Sequence, residues 1–189
     1  MNEPDSPSLP VPGTVIVLTG PPGSGKSTVA RLLADSLPSS VHLHSDDFWH
    51  YIRHGRIAPY LPRAHRQNQT VIDALAQAAF AYAAGGYQVI CDGIVGPWFI
   101  DVFRTAAAVR AIPLHYVILR PDQATALRRA ASRDGQALTD PEPIRSLHRQ
   151  FTDIAAFEGH VLDSTQLSPQ ATSDAVLHGL PEGTYRLTP

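Results

Sequence analysis

The chain has 189 residues, which is enough for one compact domain with a full hydrophobic core. Hydrophobic residues make up 43% of the chain and charged residues 17%, a balance typical of globular proteins. The formal net charge is -2, so the chain lacks the positive excess that binding to a nucleic-acid backbone requires. We therefore expect no nucleic-acid partner.

The cysteine content and the N-terminal segment predict a protein of the cytoplasm. Cys91 is the single cysteine, which excludes an internal disulfide and fits a reducing compartment. Residues 1–12 contain four prolines and lack the basic and apolar regions of a signal peptide, so we expect a flexible tail before one domain over residues 13–189. No stretch approaches the roughly 18 apolar residues of a membrane span. A monomer and a homodimer are both compatible with the sequence.

Short apolar runs alternate with helical stretches, which predicts a parallel sheet with helices on both faces. The predicted strands cover residues 14–19, 41–44, 87–92, 113–119 and 160–162. The predicted helices cover residues 26–37, 66–84, 98–109, 122–133, 143–157 and 169–180. Ligands of such sheets bind at the carboxyl ends of the strands, so the loops that follow the strands are the places to look for chemistry.

A phosphate-binding motif follows the first predicted strand. Residues 20–27 read GPPGSGKS and match G-x-x-x-x-G-K-[ST] between a strand and a helix, where backbone amides and the helix N-terminus surround phosphate oxygens. We expect Lys26 at the β- and γ-phosphates and the Ser27 hydroxyl on Mg²⁺. The expected nucleotide-binding residues are Gly20, Gly23, Ser24, Gly25, Lys26, Ser27 and Thr28. A glycine-rich turn without this function would have no need of the Lys-Ser pair.

Two carboxylates follow the second predicted strand. Asp46 is the candidate base, because a carboxylate can orient an acceptor hydroxyl and take its proton during phosphoryl transfer. Asp47 is a candidate for substrate binding. The structural alternative is that Asp46 or Ser45 only caps a helix over residues 47–54.

The third predicted strand ends in Asp92 and Gly93, an apolar strand followed by an acid as in a Walker-B element. We expect Asp92 to hold Mg²⁺ through water and so to complete the shell that Ser27 begins. A turn-forming Asp-Gly pair is the alternative interpretation. Trp98, in the apolar loop beyond, either lines the acceptor pocket or belongs to the core.

Arg129 and Arg133 are four residues apart on the helix predicted after the fourth strand, so both side chains can leave one face. The Gly- and Pro-containing residues 133–143 are typical of a mobile lid. We expect Arg129 to stack on adenine and Arg133 to neutralise charge on the transferring phosphate. An exposed helical face is the structural alternative.

Two further sets of polar residues lie in the second predicted strand and in the residues that follow it. The histidines indicate either a polar lining of the acceptor pocket or, at the spacing of the last two, a zinc site: His42, His44, His50 and His54. The arginines indicate either an acidic or phosphorylated acceptor or a solvated face: Arg53, Arg56, Arg63 and Arg66. Arg53 is the candidate of this set for substrate binding.

The cradle, the Asp46 loop, the Asp92-Gly93 element and the Arg129/Arg133 lid together resemble the P-loop small-molecule kinases. The resemblance covers about residues 13–180 and extends to gluconate and shikimate kinase-like enzymes, chloramphenicol phosphotransferase and zeta-toxin kinases. It implies a three-layer P-loop NTPase fold with sheet order 2-3-1-4-5, ATP with Mg²⁺ as donor, and an adenine site near residues 163–165. The run after Asp92 lacks the glycine triplet of shikimate kinase, which disfavours shikimate.

These features predict an ATP-dependent phosphotransferase that moves the γ-phosphate of ATP to a hydroxyl of a small molecule. One alternative is an AAA-like regulatory or motor domain that hydrolyses ATP and acts on macromolecular partners. A zeta-toxin-like kinase of nucleotide sugars is another alternative. A kinase should hydrolyse ATP slowly until its acceptor is present, whereas a regulatory ATPase needs no acceptor.

Overall fold

The computed structural model describes residues 12–132 and 140–188. Its centre is a five-stranded parallel sheet in the order β2-β3-β1-β4-β5, which confirms the predicted architecture. The strands are β1 (Thr14–Thr19), β2 (Ser40–His44), β3 (Gln88–Asp92), β4 (Leu114–Leu119) and β5 (Val161–Leu162). Each lies within one residue of its predicted limits.

Seven α-helices belong to the described residues: α1 (Lys26–Ser36), α2 (Ser45–His50), α3 (His65–Ala84), α4 (Ile100–Arg110), α5 (Gln123–Ala131), α6 (Pro141–Gln150) and α7 (Pro169–Glu182). Two 3₁₀ helices cover Pro62–Ala64 and Ala155–His160. The prediction of one helix over residues 143–157 is wrong, because Ala155 has a left-handed φ of 44° that no continuous α-helix accommodates. No helix in the described ranges is long and apolar enough to cross a membrane.

The central strand β1 is buried on both faces, which explains its unbroken apolar sequence. Val15 and Val17 pack on one face with side chains of α3 and α4, such as Phe80. Ile16 and Leu18 point the other way, because successive side chains of a strand alternate, and pack with α1 and α7. The two cores fix the sheet between helical layers.

The strand register brings three loops to one edge of the sheet. Asp92, the last residue of β3, is paired with Leu18 of β1 on one side and with His44 of β2 on the other. Because all three strands are parallel, the loops after β1, β2 and β3 leave the sheet at this edge. The phosphate-binding motif and both acidic segments therefore lie together.

The loops after β2 and β3 pack closely at Gly93. A Cβ atom placed on Gly93 would lie 1.8 Å from Ser45 Oγ and 2.5 Å from Ser45 Cβ. Both residues are buried. The glycine next to Asp92 is thus required by the approach of Ser45, the first residue of α2.

We expect Gly93→Ala to lower the free energy of unfolding by about 1–3 kcal/mol, because the added methyl group overpacks the contact with Ser45. Urea unfolding measures the change. The double variant Ser45→Gly/Gly93→Ala removes both overlapping atoms and should regain part of the loss. Gly159→Ala is the control, since a Cβ there meets nothing within 4 Å. Equal stability of the two single alanine variants would contradict the close packing.

Candidate functional site

The loop between β1 and α1 has the backbone of a phosphate cradle. Gly23 has a φ of 82°, and a Cβ there would lie 2.0 Å from the carbonyl oxygen of Ala126, so only glycine fits. Gly25, with a φ of 88°, is the N-cap of α1. No side chain of the described residues caps this helix and its first turn has no acidic residue, so its positive end is suited to an anion.

The side chains of the cradle are also suited to phosphate. Lys26 is buried, with 7% of its surface exposed. Ser24 Oγ is buried and has no hydrogen-bond partner among the described residues. A buried hydroxyl without a partner costs about 1–3 kcal/mol, a cost that a bound oxyanion would remove. The unpartnered hydroxyl and the uncapped helix fit a nucleotide's phosphates.

Asp92 is the buried centre of the site and accepts three side-chain hydrogen bonds. Ser27 Oγ donates to Asp92 Oδ2 at 2.5 Å, while His42 Nε2 and His44 Nδ1 lie 2.7 Å and 2.9 Å from Oδ1. Burial raises the pKa of Asp92, but the hydrogen bonds from His42, His44 and Ser27 outweigh it and hold the pKa well below its usual range. The carboxylate is therefore ionised, and both histidine ring nitrogens donate to it.

His44 extends this group toward the candidate base. Its pKa is raised, chiefly by the hydrogen bond to Asp92, against the opposing effect of burial; the charges of Asp92, Asp46 and Asp47 add to the rise. His44 Nε2 lies 3.7 Å from Asp46 Oδ2, close enough for a charge interaction but beyond a hydrogen bond. A positive charge on His44 would thus be shared between Asp92 and Asp46.

Sequence reasoning did not assign the histidines to Asp92. His42 and His44 are two residues apart on β2, so their side chains leave the same face of the sheet. The pairing of β2 with β3 then sets His44 opposite Asp92. The alternation along the strand was readable in the sequence, but the contact needed the strand order and the register together.

The two carboxylates after β2 are in the first turn of α2. The interpretation of Asp46 or Ser45 as the cap of a helix over residues 47–54 is wrong, because α2 begins at Ser45, has His44 as its N-cap and ends at His50. The Asp46 side chain is 68% exposed, and Asp47 is also exposed. Both are accessible to an acceptor at the edge of the sheet.

A second part of the site adjoins the cradle on the side of α5 and α7. A cavity of about 330 Å³ lies there, and its lining residues include Thr28, Arg129, Leu167 and Thr172. Arg129 Nη2 donates to the backbone carbonyls of Ser164, Thr165 and Leu167 at 3.1, 3.2 and 3.4 Å. Arg129 therefore fastens the loop after β5 beside the cradle, the loop in which the resemblance implies an adenine site.

The remaining predicted residues are less closely joined to this group. Arg133 and most of the predicted lid, through residue 139, lie outside the described residues. Trp98 is 45% exposed and contacts Phe99 and Phe151, with ring centroids 6.4 and 5.6 Å away, so it is not a core residue. Arg53 is exposed just beyond α2. Neither Arg53 nor Trp98 has a hydrogen bond or ion pair to the site residues within the described ranges.

The side chains at the site that are suited to a metal ion offer oxygen atoms. The Ser27 hydroxyl and the Asp92 carboxylate are joined directly and are ligands of the kind that Mg²⁺ prefers. In the part of the chain that the structure describes, no group of three or more His, Cys, Asp or Glu side chains is arranged to hold a metal ion. His50 and His54 are exposed. Cys91 is fully buried, and burial, followed by the charge of Asp92, raises the pKa of its thiol.

Residues 15–157 match the model of a protein family described as an AAA domain. The chain belongs to this AAA domain family. None of the curated proteins matches the chain's sequence.

The chain is also similar to solved structures of kinases. The APS kinase of Mycobacterium tuberculosis in complex with AMPPNP and APS has a TM-score of 0.68 at 20% identity, with 91% of this chain and 99% of that chain covered. A sugar kinase from Janibacter sp. HTCC2649 has a TM-score of 0.67 at 20% identity, with 90% of this chain and 95% of that chain covered. The shikimate kinase of Acinetobacter baumannii in complex with shikimate has a TM-score of 0.62 at 20% identity, with 90% of this chain and 94% of that chain covered. These likenesses show that this AAA domain has the fold of the P-loop kinases.

We expect glutamine to be the better tolerated amide replacement for His42 and asparagine the better tolerated one for His44. The glutamine amide nitrogen takes the place of Nε2 and the asparagine amide nitrogen that of Nδ1. His42→Gln and His44→Asn should therefore keep a donor to Asp92, and each should be about 1 kcal/mol more stable than His42→Asn and His44→Gln. Urea unfolding at pH 7 measures the differences. The same order of the two amides at both positions would contradict the contacts described.

Proposed function

We propose that the protein transfers the γ-phosphate of ATP to a hydroxyl group of a small molecule, with Mg²⁺ as cofactor. The observation that carries this proposal is the contact of 2.5 Å between Ser27 of the cradle and the buried carboxylate of Asp92, with Asp46 at the same edge of the sheet. A triphosphate site, a metal-ligand pair and an accessible carboxylate are the parts that phosphoryl transfer needs. The kinase fold supports the same conclusion.

The nucleotide would lie along the N-terminus of α1. We assign its phosphates to Gly20, Gly23, Ser24, Gly25, Lys26, Ser27 and Thr28. The adenine base of the nucleotide would occupy the cavity beside Arg129 and Leu167, which is also lined by Gly23 and Thr28 of the cradle. Ser27 and Asp92 would hold Mg²⁺, directly or through water, and the bound ion would neutralise charge on the phosphate oxygens.

The side chains of the chain would bind, orient and accept a proton. Lys26 would counter the negative charge that develops on the β- and γ-phosphates. Asp46 would orient the acceptor hydroxyl and take its proton as the bond from oxygen to the γ-phosphorus forms and the bond from that phosphorus to the bridging oxygen breaks, leaving ADP. We favour Asp46 over Asp47 as the base because His44, which binds Asp92, has its Nε2 atom 3.7 Å from Asp46 Oδ2, within range of a charge interaction.

Four further residues complete the proposal. Asp47 and Trp98 are exposed near the loops that follow β2 and β3, and we assign both to acceptor binding, together with Arg53. For Arg133 we retain the role of charge neutralisation on a lid over residues 133–143, which follows from its position after α5. Closure of such a segment would exclude water from the reaction.

A second candidate function is ATP hydrolysis by a regulatory domain, which the AAA domain family model favours. ADP release separates the two candidates. A kinase releases ADP slowly until an acceptor is added, and the phosphate appears on the acceptor. A regulatory ATPase releases inorganic phosphate at its full rate without any acceptor. The panel for the acceptor search comprises sugar acids, sugars, nucleosides, nucleotide sugars and antibiotics.

We expect Lys26→Ala to weaken the binding of ATP with Mg²⁺ by about 10- to 100-fold, because a hydrogen bond to a charged group contributes about 1.5–3 kcal/mol. Isothermal titration calorimetry measures the affinity. Arg104→Ala, which changes a cation on α4, is the control and should bind ATP as the wild type does. Absence of ATP binding by the wild type, or equal affinity of the Lys26 variant, would refute the nucleotide site.

We expect Asp46→Asn to lower kcat by about 10²- to 10⁴-fold, the usual contribution of a general base, with ATP affinity unchanged. The rate is measured with the acceptor that the panel identifies. Asp47→Asn is the matched control and should act mainly on the KM for the acceptor. Turnover near that of the wild type in the Asp46 variant would reject it as the base, and a larger loss of kcat in the Asp47 variant would transfer that role to Asp47.

A further inference from the structure

The segment that joins α2 to α3 is rich in arginine and free of acids. We call residues 51–66 the basic segment; its sequence is YIRHGRIAPYLPRAHR. It contains four of the chain's arginines and neither Asp nor Glu. The whole chain has a formal net charge of -2, so positive charge is concentrated here rather than spread over the surface.

The arginine side chains of the basic segment have no partners among the described residues. Elsewhere the guanidinium groups are mostly engaged: Arg120 pairs with Glu158 at 2.8 Å and Arg129 binds backbone carbonyls. Four exposed residues of the basic segment have guanidinium groups without a hydrogen bond or ion pair to any described residue: Arg53, Arg56, Arg63 and Arg66. Arg186 is the only other described arginine of which this is true. The part of the chain that the structure describes therefore leaves these four cations available to an external anion.

The basic segment is nevertheless held in place. The Gln67 side chain accepts from the backbone N–H of Ile57 at 2.8 Å and donates to the Ile57 carbonyl at 2.7 Å. Asn68 donates to the carbonyl of Pro59 at 2.8 Å and accepts from Trp49 Nε1 at 2.9 Å. These contacts fasten the segment to α3, and Asn68 in turn joins α3 to α2, so less order has to be gained when a ligand binds.

The position of the basic segment suits an acceptor. Asp46 lies at the start of α2, and a helix rises 1.5 Å per residue, so the Tyr51 Cα is only about 7–8 Å further along. Arg53 is two residues beyond, at most about 7 Å more. Two aromatic side chains are exposed on the same segment, Tyr51 at 70% and Tyr60 at 61%. Cations and aromatic rings thus begin within a small molecule's length of the candidate base.

We propose that the basic segment binds a phosphate group of the acceptor, so that the acceptor is a hydroxyl compound that already carries phosphate, such as a sugar phosphate or a nucleotide. This inference rests on the proposed phosphotransferase function. Several guanidinium groups suit a phosphate ester or diphosphate, because each presents paired N–H donors to two oxygens. A nucleic-acid strand would need positive charge along a longer surface than this one segment provides.

Binding experiments with matched probes test the inference. The protein is first saturated with Mg²⁺ and a non-hydrolysable ATP analogue, so that the cradle cannot take the probe's phosphate. Titration calorimetry then compares glucose 6-phosphate with glucose, UMP with uridine, and UDP-N-acetylglucosamine with N-acetylglucosamine. We expect binding by a phosphate-bearing member and none by its neutral counterpart.

Two variants locate the probe. Arg53→Ala/Arg56→Ala should weaken that binding at least 10-fold, whereas Arg186→Ala, which removes an equally unpartnered cation elsewhere, should not change it. Both variants should unfold at the wild-type urea concentration, because the side chains are exposed. Equal binding of both members of every pair, or unchanged binding by the double variant, would overturn the inference. So would binding confined to a 5′-hydroxyl oligonucleotide added as a further probe.

Product analysis separates this inference from the proposed function. Phosphorylation of the phosphate-bearing compounds supports both. Phosphorylation of the neutral compounds alone would overturn the inference and leave the phosphotransferase function standing. ATP binding without a phosphorylated product from any compound of the panel would contradict the phosphotransferase function itself.

Discussion

The buried carboxylate of Asp92 is the point on which the site depends. Ser27, His42 and His44 all bind it, so the first helix, the second strand and the third strand are joined through one ionised group. A buried charge is tolerated only when hydrogen bonds compensate the loss of water, and three donors provide that here. The same compensation fixes the geometry, because a carboxylate held from three sides cannot turn. The cradle and the segment with Asp46 are thereby set at a constant relation to each other.

The site divides into two sides with different chemistry. On the nucleotide side, backbone amides, Lys26 and the uncapped end of α1 present positive charge, and Arg129 is occupied in holding the loop after β5. On the side that we propose for the acceptor, two exposed carboxylates are followed by a segment whose arginine side chains have no partner among the described residues. An acceptor that bridged these carboxylates and arginines would have its hydroxyl near Asp46 and an anionic group further out. This arrangement would orient the hydroxyl toward the γ-phosphate and is the physical basis of the specificity that we infer.

Local sequence predicted most of the secondary structure, and its failures have identifiable causes. The strands were found because buried parallel strands are apolar throughout, as in β1 and β4. The helix expected over residues 143–157 is interrupted since Ala155 has a left-handed conformation, which an alanine in the sequence does not predict. The structural alternative placed a helix over residues 47–54, because Asp46 and Ser45 are typical cap residues, whereas α2 begins two residues earlier, at Ser45.

By itself the sequence determined the phosphate cradle, the sheet that carries it and the residues that follow each strand, because these depend on neighbours in the chain and on short fixed spacings. Only the tertiary structure decided which side chains meet. The contact of His42 and His44 with Asp92 requires β2 to lie beside β3 in one particular register, a pairing between residues about fifty positions apart. Likewise, the sequence showed a group of arginines, but whether acids elsewhere in the chain neutralise them is a property of the folded surface. The fold decides both the pairing of β2 with β3 and whether acidic side chains pair with the arginines of the basic segment, since no local sequence pattern encodes either.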